Sequence, residues 1–190
     1  MKRKILSTFV ALLLVVALLP MSVLAASYTD TDGHWAESSI ERWSDAGVVQ
    51  GTGDAFAPDS DLTCAQLATI LAKLLRLPAA DDAGFSDNLA DAWYYDAINR
   101  CAAAGILNGY ADGTVRPNET ISRARAMVML ARALGIEPAG TSVLNGYADA
   151  ASVPDWARGY VAALLRADIV SGVSGSRLAA LANITRAQFV

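Results

Sequence analysis

The chain has 190 residues, 54 % of them hydrophobic, with 15 lysines and arginines against 19 aspartates and glutamates, one histidine and a formal net charge of −4. This is the length of one ordinary domain, with enough chain for a real core. The acidic balance argues against nucleic acid as a partner, because phosphate binding needs clustered basic charge.

The chain opens on Met1-Lys2-Arg3-Lys4, runs through an almost unbroken apolar stretch from Ile5 to Leu19, breaks at Pro20 and offers Val23-Leu24-Ala25 before a cut. This pattern predicts a secretory signal peptide over residues 1–25, with cleavage after Ala25 or, as second choice, Ala26. The apolar run falls short of the roughly 20 residues a spanning helix needs, so no stable membrane span is expected after cleavage. The leader carries three of the 15 basic residues; the twelve that remain face 19 acidic ones, a formal charge of −7.

In the mature chain, a first helix is predicted from Ala36, Ile40 and Trp43, which fall on one helical face. The same steps return at Tyr94, Ile98 and Cys101 and at Ala157, Val161 and Leu164. Gly47 and Gly105 stand where the first two of these helices should stop, since glycine accepts the left-handed cap conformation; Asp168 stands there in the third, whose end is left open. Turn-rich connectors follow, marked by Asn108-Gly109, Asp112-Gly113, Pro58 and Pro117.

A second helix is predicted after each of Thr63, Ser122 and Thr185, whose hydroxyls are good N-caps. Gln66 and Gln188 complete capping boxes, whereas Arg125 breaks the box in the middle unit and can instead supply a second cation to a ligand. Leu67, Ile70, Leu71 and Leu74, matched by Ala126, Met129, Leu130 and Ala133, are core stripes. Residues 78–84 and 137–146 read as small-residue linkers.

The unit is written three times. Trp35, Trp93 and Trp156 are spaced by 58 and 63 residues, as are Gly51, Gly109 and Gly172, and the caps Thr63, Ser122 and Thr185 by 59 and 63. Such concerted shifts mark an array in which each unit buries its apolar face on its neighbours. Its predicted divisions are 26–80, 81–141 and 142–190.

The openings Tyr28-x-Asp30, Phe85-x-Asp87 and Tyr147-x-Asp149, the turns Gly47-Val48-Val49-Gln50-Gly51 and Gly105-Ile106-Leu107-Asn108-Gly109, the loop Asp112-Gly113-Thr114-Val115-Arg116-Pro117 and the starts Thr63-Cys64-Ala65-Gln66, Ser122-Arg123-Ala124-Arg125 and Thr185-Arg186-Ala187-Gln188 together resemble the S-layer homology (SLH) domain. The resemblance covers nearly the whole mature chain. It implies an all-α fold of tandem helix-loop-helix repeats in a pseudo-threefold arrangement. It also implies non-covalent attachment of an exported protein to the bacterial cell wall or S-layer, with peptidoglycan-linked anionic, often pyruvylated, polysaccharide bound in grooves between repeats. The family's motif arginine carries over to Arg123 and Arg186. Cys64 removes it from the first repeat, so a groove relying on it is expected to bind weakly or not at all.

A guanidinium just inside a capped helix start can fork onto a carboxylate while the helix N–H groups add positive potential, so an acidic protein can hold an acidic sugar. Trp35, Trp93 and Trp156 are expected chiefly to seal the joints between repeats, with stacking on sugar rings the second role. Gly51, Gly109 and Gly172 are turn residues whose missing Cβ can also admit a sugar.

His34 reads as a helix-start residue, and Asp30-Thr31-Asp32-Gly33 as a turn, because the later ligands of a calcium loop are absent. No metal or cofactor is implied. No disulfide between Cys64 and Cys101 is expected, since nothing in their spacing brings them to bridging distance. The alternatives are a wall-glycan hydrolase fragment and a module that binds other surface proteins. Against catalysis, the acids lie mostly in landmarks common to every unit, and the one histidine sits in the first opening motif. The second helix of the third repeat begins at Thr185 with only five residues after it, so the chain is expected to be a piece of a longer protein.

Overall fold

Local signals place the helices. The computed structural model describes residues 28–190, and the predicted leader lies outside the described residues. Six α-helices follow in order among the described residues: α1 (Glu37–Asp45), α2 (Cys64–Leu74), α3 (Tyr95–Ala103), α4 (Arg123–Ala133), α5 (Asp155–Arg166) and α6 (Arg186–Phe189). Among the described residues there is no strand, only isolated bridges within and between connectors.

The predicted caps form as read. Thr63 and Thr185 complete reciprocal boxes with Gln66 and Gln188, whereas Ser122 accepts from the Arg125 amide without the return bond. Past the C-terminal ends of α1, α3 and α5, Gly47, Gly105 and Asp168 all take positive φ, at 71°, 69° and 53°. The following amide bonds back to Trp43, Cys101 or Leu164, closing the same Schellman-type end three times. The end left open at Asp168 is therefore a third copy, with an aspartate held in a conformation that usually selects glycine.

Each second helix packs on the first helix of the next repeat, α2 on α3 and α4 on α5. Leu67 and Leu71 belong to the same buried cluster as Ile98 and Cys101, while Met127 and Val128 join Ala157, Val161 and Leu164. The packed pairs are thus offset from the sequence repeats, because each repeat presents its two apolar stripes to different neighbours. Phe189, from α6, packs against the cluster that holds Ala36 and Ile40, so the third repeat returns to the first.

A ring of backbone hydrogen bonds closes the array at its centre. Ile121 donates to the Leu62 carbonyl at 2.9 Å, Ile184 to Ile121 at 3.1 Å and Leu62 to Ile184 at 2.9 Å. These three residues precede the three N-caps and are all buried. The pseudo-threefold arrangement is thereby a property of the hydrogen bonding as well as of the sequence.

One linker needs correction. Residues 141–146 form a 3-10 helix with Leu144 fully buried, because Leu144 completes the cluster around α4 and α5. Residues 78–84, in contrast, have no regular structure. Cys64 and Cys101 are buried free thiols, and Cys101 donates to the Ala68 carbonyl at 3.3 Å. Burial pushes the Cys101 thiol up to about 12.

Candidate functional site

In every repeat the opening aspartate holds the connector. Asp30 accepts from the Phe56 and Ala57 amides at 2.8 and 2.7 Å, Asp87 from Val115 and Arg116 at 2.8 Å each, and Asp149 from Leu178 and Ala179 at 2.8 Å each. The second residue of each pair, Ala57, Arg116 or Ala179, has positive φ, so the carboxylate stabilises a backbone kink that an L-residue resists. The bonds from Phe56 and Leu178 are the leading cause that holds Asp30 and Asp149 below the ordinary carboxylate range. These acids are structural clamps.

The glycines sit under the opening aromatic ring. A Cβ on Gly51 would lie 2.4 Å from Tyr28 Cε1, one on Gly109 2.3 Å from Phe85 Cε1, and one on Gly172 2.6 Å from the Arg177 carbonyl oxygen. The room created by the missing side chain is taken by the repeat itself. All three glycines still line groove walls through their backbone.

Three grooves open between repeats; two draw on all three repeats in rotation, and one is lined by repeats 2 and 3. The first joins the turn Gln50-Gly51 and the side chains Gln66 and Lys73 of repeat 1 to Trp93 of repeat 2 and Arg186 of repeat 3. The third joins Ser171-Gly172 and Gln188 of repeat 3 to Trp35 of repeat 1 and Arg123 of repeat 2. The second joins Asn108-Gly109, Arg125 and Arg132 of repeat 2 to Trp156 of repeat 3. Their cavity volumes, about 680, 510 and 410 Å³, fall within the range of small-molecule sites.

The tryptophans do not seal the joints. Trp35, Trp93 and Trp156 are 70, 66 and 56 % exposed, because the residue that turns inward at each helix start is the neighbouring Ala36, Tyr94 or Ala157. An indole left in water at a groove edge is a ready stacking surface for a sugar face.

Arg123 and Arg186 are built into the walls. Arg186 donates from Nε to the Phe56 carbonyl at 2.9 Å and from Nη2 to the Gln50 carbonyl at 2.8 Å, with its guanidinium 4.3 Å from the Phe56 ring centre. Arg123, 8 % exposed, donates from Nε to the Leu178 carbonyl at 3.1 Å and from Nη1 to Gln188 Oε1 at 3.4 Å. Each therefore ties its own repeat to the next connector while presenting further N–H donors in a groove. Burial pulls both below the usual arginine range.

The helix N–H groups expected to assist them are already engaged. The first two amides of α4 donate to the Ala182 and Ala180 carbonyls, those of α6 to Ser60 and Pro58, and those of α2 to Glu119 and Pro117. The third amide of each helix is capped by its hydroxyl residue. The helix starts are spent on closing the array.

Sequence reasoning did not single out Tyr110 or Arg132. Arg125 and Arg132 lie seven residues apart on one face of α4, the helical spacing that identifies the pair. His34 accepts the Ala36 amide through Nδ1 at 3.1 Å, so its Nε2 hydrogen is turned to Asp59 at 3.4 Å. Among the described residues no group of His, Cys, Asp and Glu is placed to hold a metal ion, and no helix is long and apolar enough to cross a membrane.

The S-layer homology domain family matches residues 27–68, 85–124 and 146–190. The surface-layer 125 kDa protein of Lysinibacillus sphaericus is 34 % identical over 139 residues, 73 % of this chain and 12 % of that protein. The exoglucanase XynX of Acetivibrio thermocellus is 31 % identical over 180 residues, 89 % of this chain and 16 % of that protein. The cellulosome-anchoring protein of the same species is 29 % identical over 120 residues, 60 % of this chain and 27 % of that protein. The chain thus spans a minor part of the length of these relatives.

Proposed function

The chain belongs to the S-layer homology domain family, and from that premise we propose that it anchors an exported protein non-covalently to the bacterial cell surface by holding anionic wall polysaccharide in its inter-repeat grooves. The observation that carries this reading is the rotation of parts around the axis: an exposed indole from one repeat faces a groove that also contains an arginine from another. The indole suits the apolar face of a sugar, and the guanidinium donors not spent on carbonyls suit its carboxylate. A pyruvate ketal places such a carboxylate directly on a sugar ring, which makes pyruvylated polymer the preferred ligand. The relatives named as surface-layer and cellulosome-anchoring proteins support a surface role. The exoglucanase resemblance fits an anchoring segment shared with an enzyme, since it covers 16 % of that protein.

The test is a pull-down of residues 26–190 on purified wall sacculi before and after acid extraction of the attached polysaccharide. Binding that disappears with the polysaccharide is the expected result. Binding unchanged by extraction would place recognition on peptidoglycan itself, and absence of binding to either would favour a protein partner.

A further inference from the structure

The second groove lacks the arginine that the first and third receive from another repeat. By rotation it should come from repeat 1, where Cys64 stands, 1 % exposed and too short to cross the wall. The carbonyl that such an arginine would meet is nevertheless occupied. Val115 is the counterpart of Phe56 and Leu178, since the backbone amide of each donates to Oδ1 of its repeat's opening aspartate. Arg186 donates to the Phe56 carbonyl and Arg123 to that of Leu178; at Val115 the donor is Arg125 Nη2, at 3.4 Å. A guanidinium thus reaches the corresponding backbone oxygen, carried by the repeat's own second helix.

Its surroundings are suited to an anion. Arg125 also donates from Nη1 to the Tyr110 hydroxyl, and its guanidinium carbon lies 4.6 Å from that ring's centre. Arg132 stands further along the same helix face, 5.3 Å from the Tyr160 ring centre, with Asn108 Oδ1 as an acceptor at 3.2 Å in the amide orientation that satisfies both ends. Trp156 forms the opposite edge, 56 % exposed. Among the described residues its lining holds two arginines and no carboxylate, whereas that of the first groove includes Asp61 as well as Lys73 and Arg186. Arg116 also lies against Tyr110 but is paired with Asp112 at 3.1 Å, so its charge is largely offset.

We propose that the second groove is a third site for a carboxylate-bearing saccharide, in which Arg125 replaces the guanidinium that Cys64 removes and Arg132 supplies a second cation. This rests on the reading of the grooves as acidic-glycan sites, and reverses the expectation that loss of the first-repeat arginine disables a groove. The glutamine found at the matching place in the other repeats, Gln66 and Gln188, serves as the capping partner. Repeat 2 has given up that return bond for a cation.

The exchange makes a discriminating variant available. Arg125→Gln restores the Ser-x-x-Gln capping pattern, which offsets the lost bonds to Tyr110 and Val115, so it should still fold while losing the groove cation. The probe is a methyl hexoside carrying a 4,6-pyruvate ketal, titrated into residues 26–190 while the indole N–H resonances of Trp35, Trp93 and Trp156 are followed by NMR. The methyl ester of the ketal serves as the uncharged control. All three signals are expected to move with the acid, and in Arg125→Gln the half-saturation read at Trp156 is expected to weaken about tenfold or more, with Trp35 and Trp93 unchanged. Movement of Trp35 and Trp93 without Trp156 would overturn this inference alone, as would an unaltered Trp156 response in the variant. If no indole responds to the acid, or the ester acts equally well, the acidic-glycan reading of all the grooves fails.

Discussion

The backbone N–H of Leu62 donates to the carbonyl oxygen of Ile184 at 2.9 Å, joining the first repeat to the third. The bond completes the ring that runs through Ile121. An open array can fray from either end, because each unit touches only its neighbours. Here the two ends of the described chain hold one another.

Closure should make unfolding cooperative. For residues 26–190, urea transitions followed by far-ultraviolet circular dichroism and by tryptophan fluorescence are expected to coincide. Separate midpoints for the two signals would show that the repeats unfold independently and that the central ring contributes little.

Arg186 has a structural task beside the binding role proposed for it. Arg186→Gln removes the donors to the Phe56 and Gln50 carbonyls, and is expected to cost about 1–3 kcal/mol in urea denaturation. Loss of sacculus binding by an Arg123 and Arg186 double variant therefore has to be read together with its stability. A midpoint equal to the parent's would mean that these bonds are not maintained in solution.

The tryptophans separate the two roles more cleanly. Trp35→Ala and Trp93→Ala remove exposed side chains, and each should change stability by no more than about 0.5 kcal/mol. Both should weaken retention on sacculi. A large drop in melting temperature would restore the reading of the indoles as joint seals, and undiminished retention would remove them from the site.

Asp30 and Asp149 make the fold sensitive to acid. Their folded-state pKa values are lowered, chiefly by the amides of Phe56 and Leu178. Their contribution is complete above the unfolded-state value of about 3.9 and is lost as pH falls through the lower folded value. Stability should therefore be insensitive to these two groups from neutral pH to about pH 4 and decline below it. Asp149→Asn should lower stability at neutral pH by about 1 kcal/mol, allowing for solvent screening, and flatten the decline. An Asn variant with the parent's acid profile would contradict the clamp.

Much of this protein is legible in the sequence because its instructions are local. Thr63 and Gln66 find each other within one helical turn, and Ala157, Val161 and Leu164 share a face by periodicity alone. The Gly47 end needs only a left-handed residue at one position. Recurrence of these signals establishes three like units before any coordinate is known. Only the tertiary structure decides which units meet. It puts Arg186 on the first repeat's connector, spends the helix-start amides on neighbouring carbonyls, leaves Trp35, Trp93 and Trp156 in water and brings Arg125 to Val115. The physical reason is distance along the chain: a cap is satisfied by residues three apart, whereas a groove wall is assembled from repeats about 60 residues apart, whose relative placement is set by the burial of several apolar faces at once.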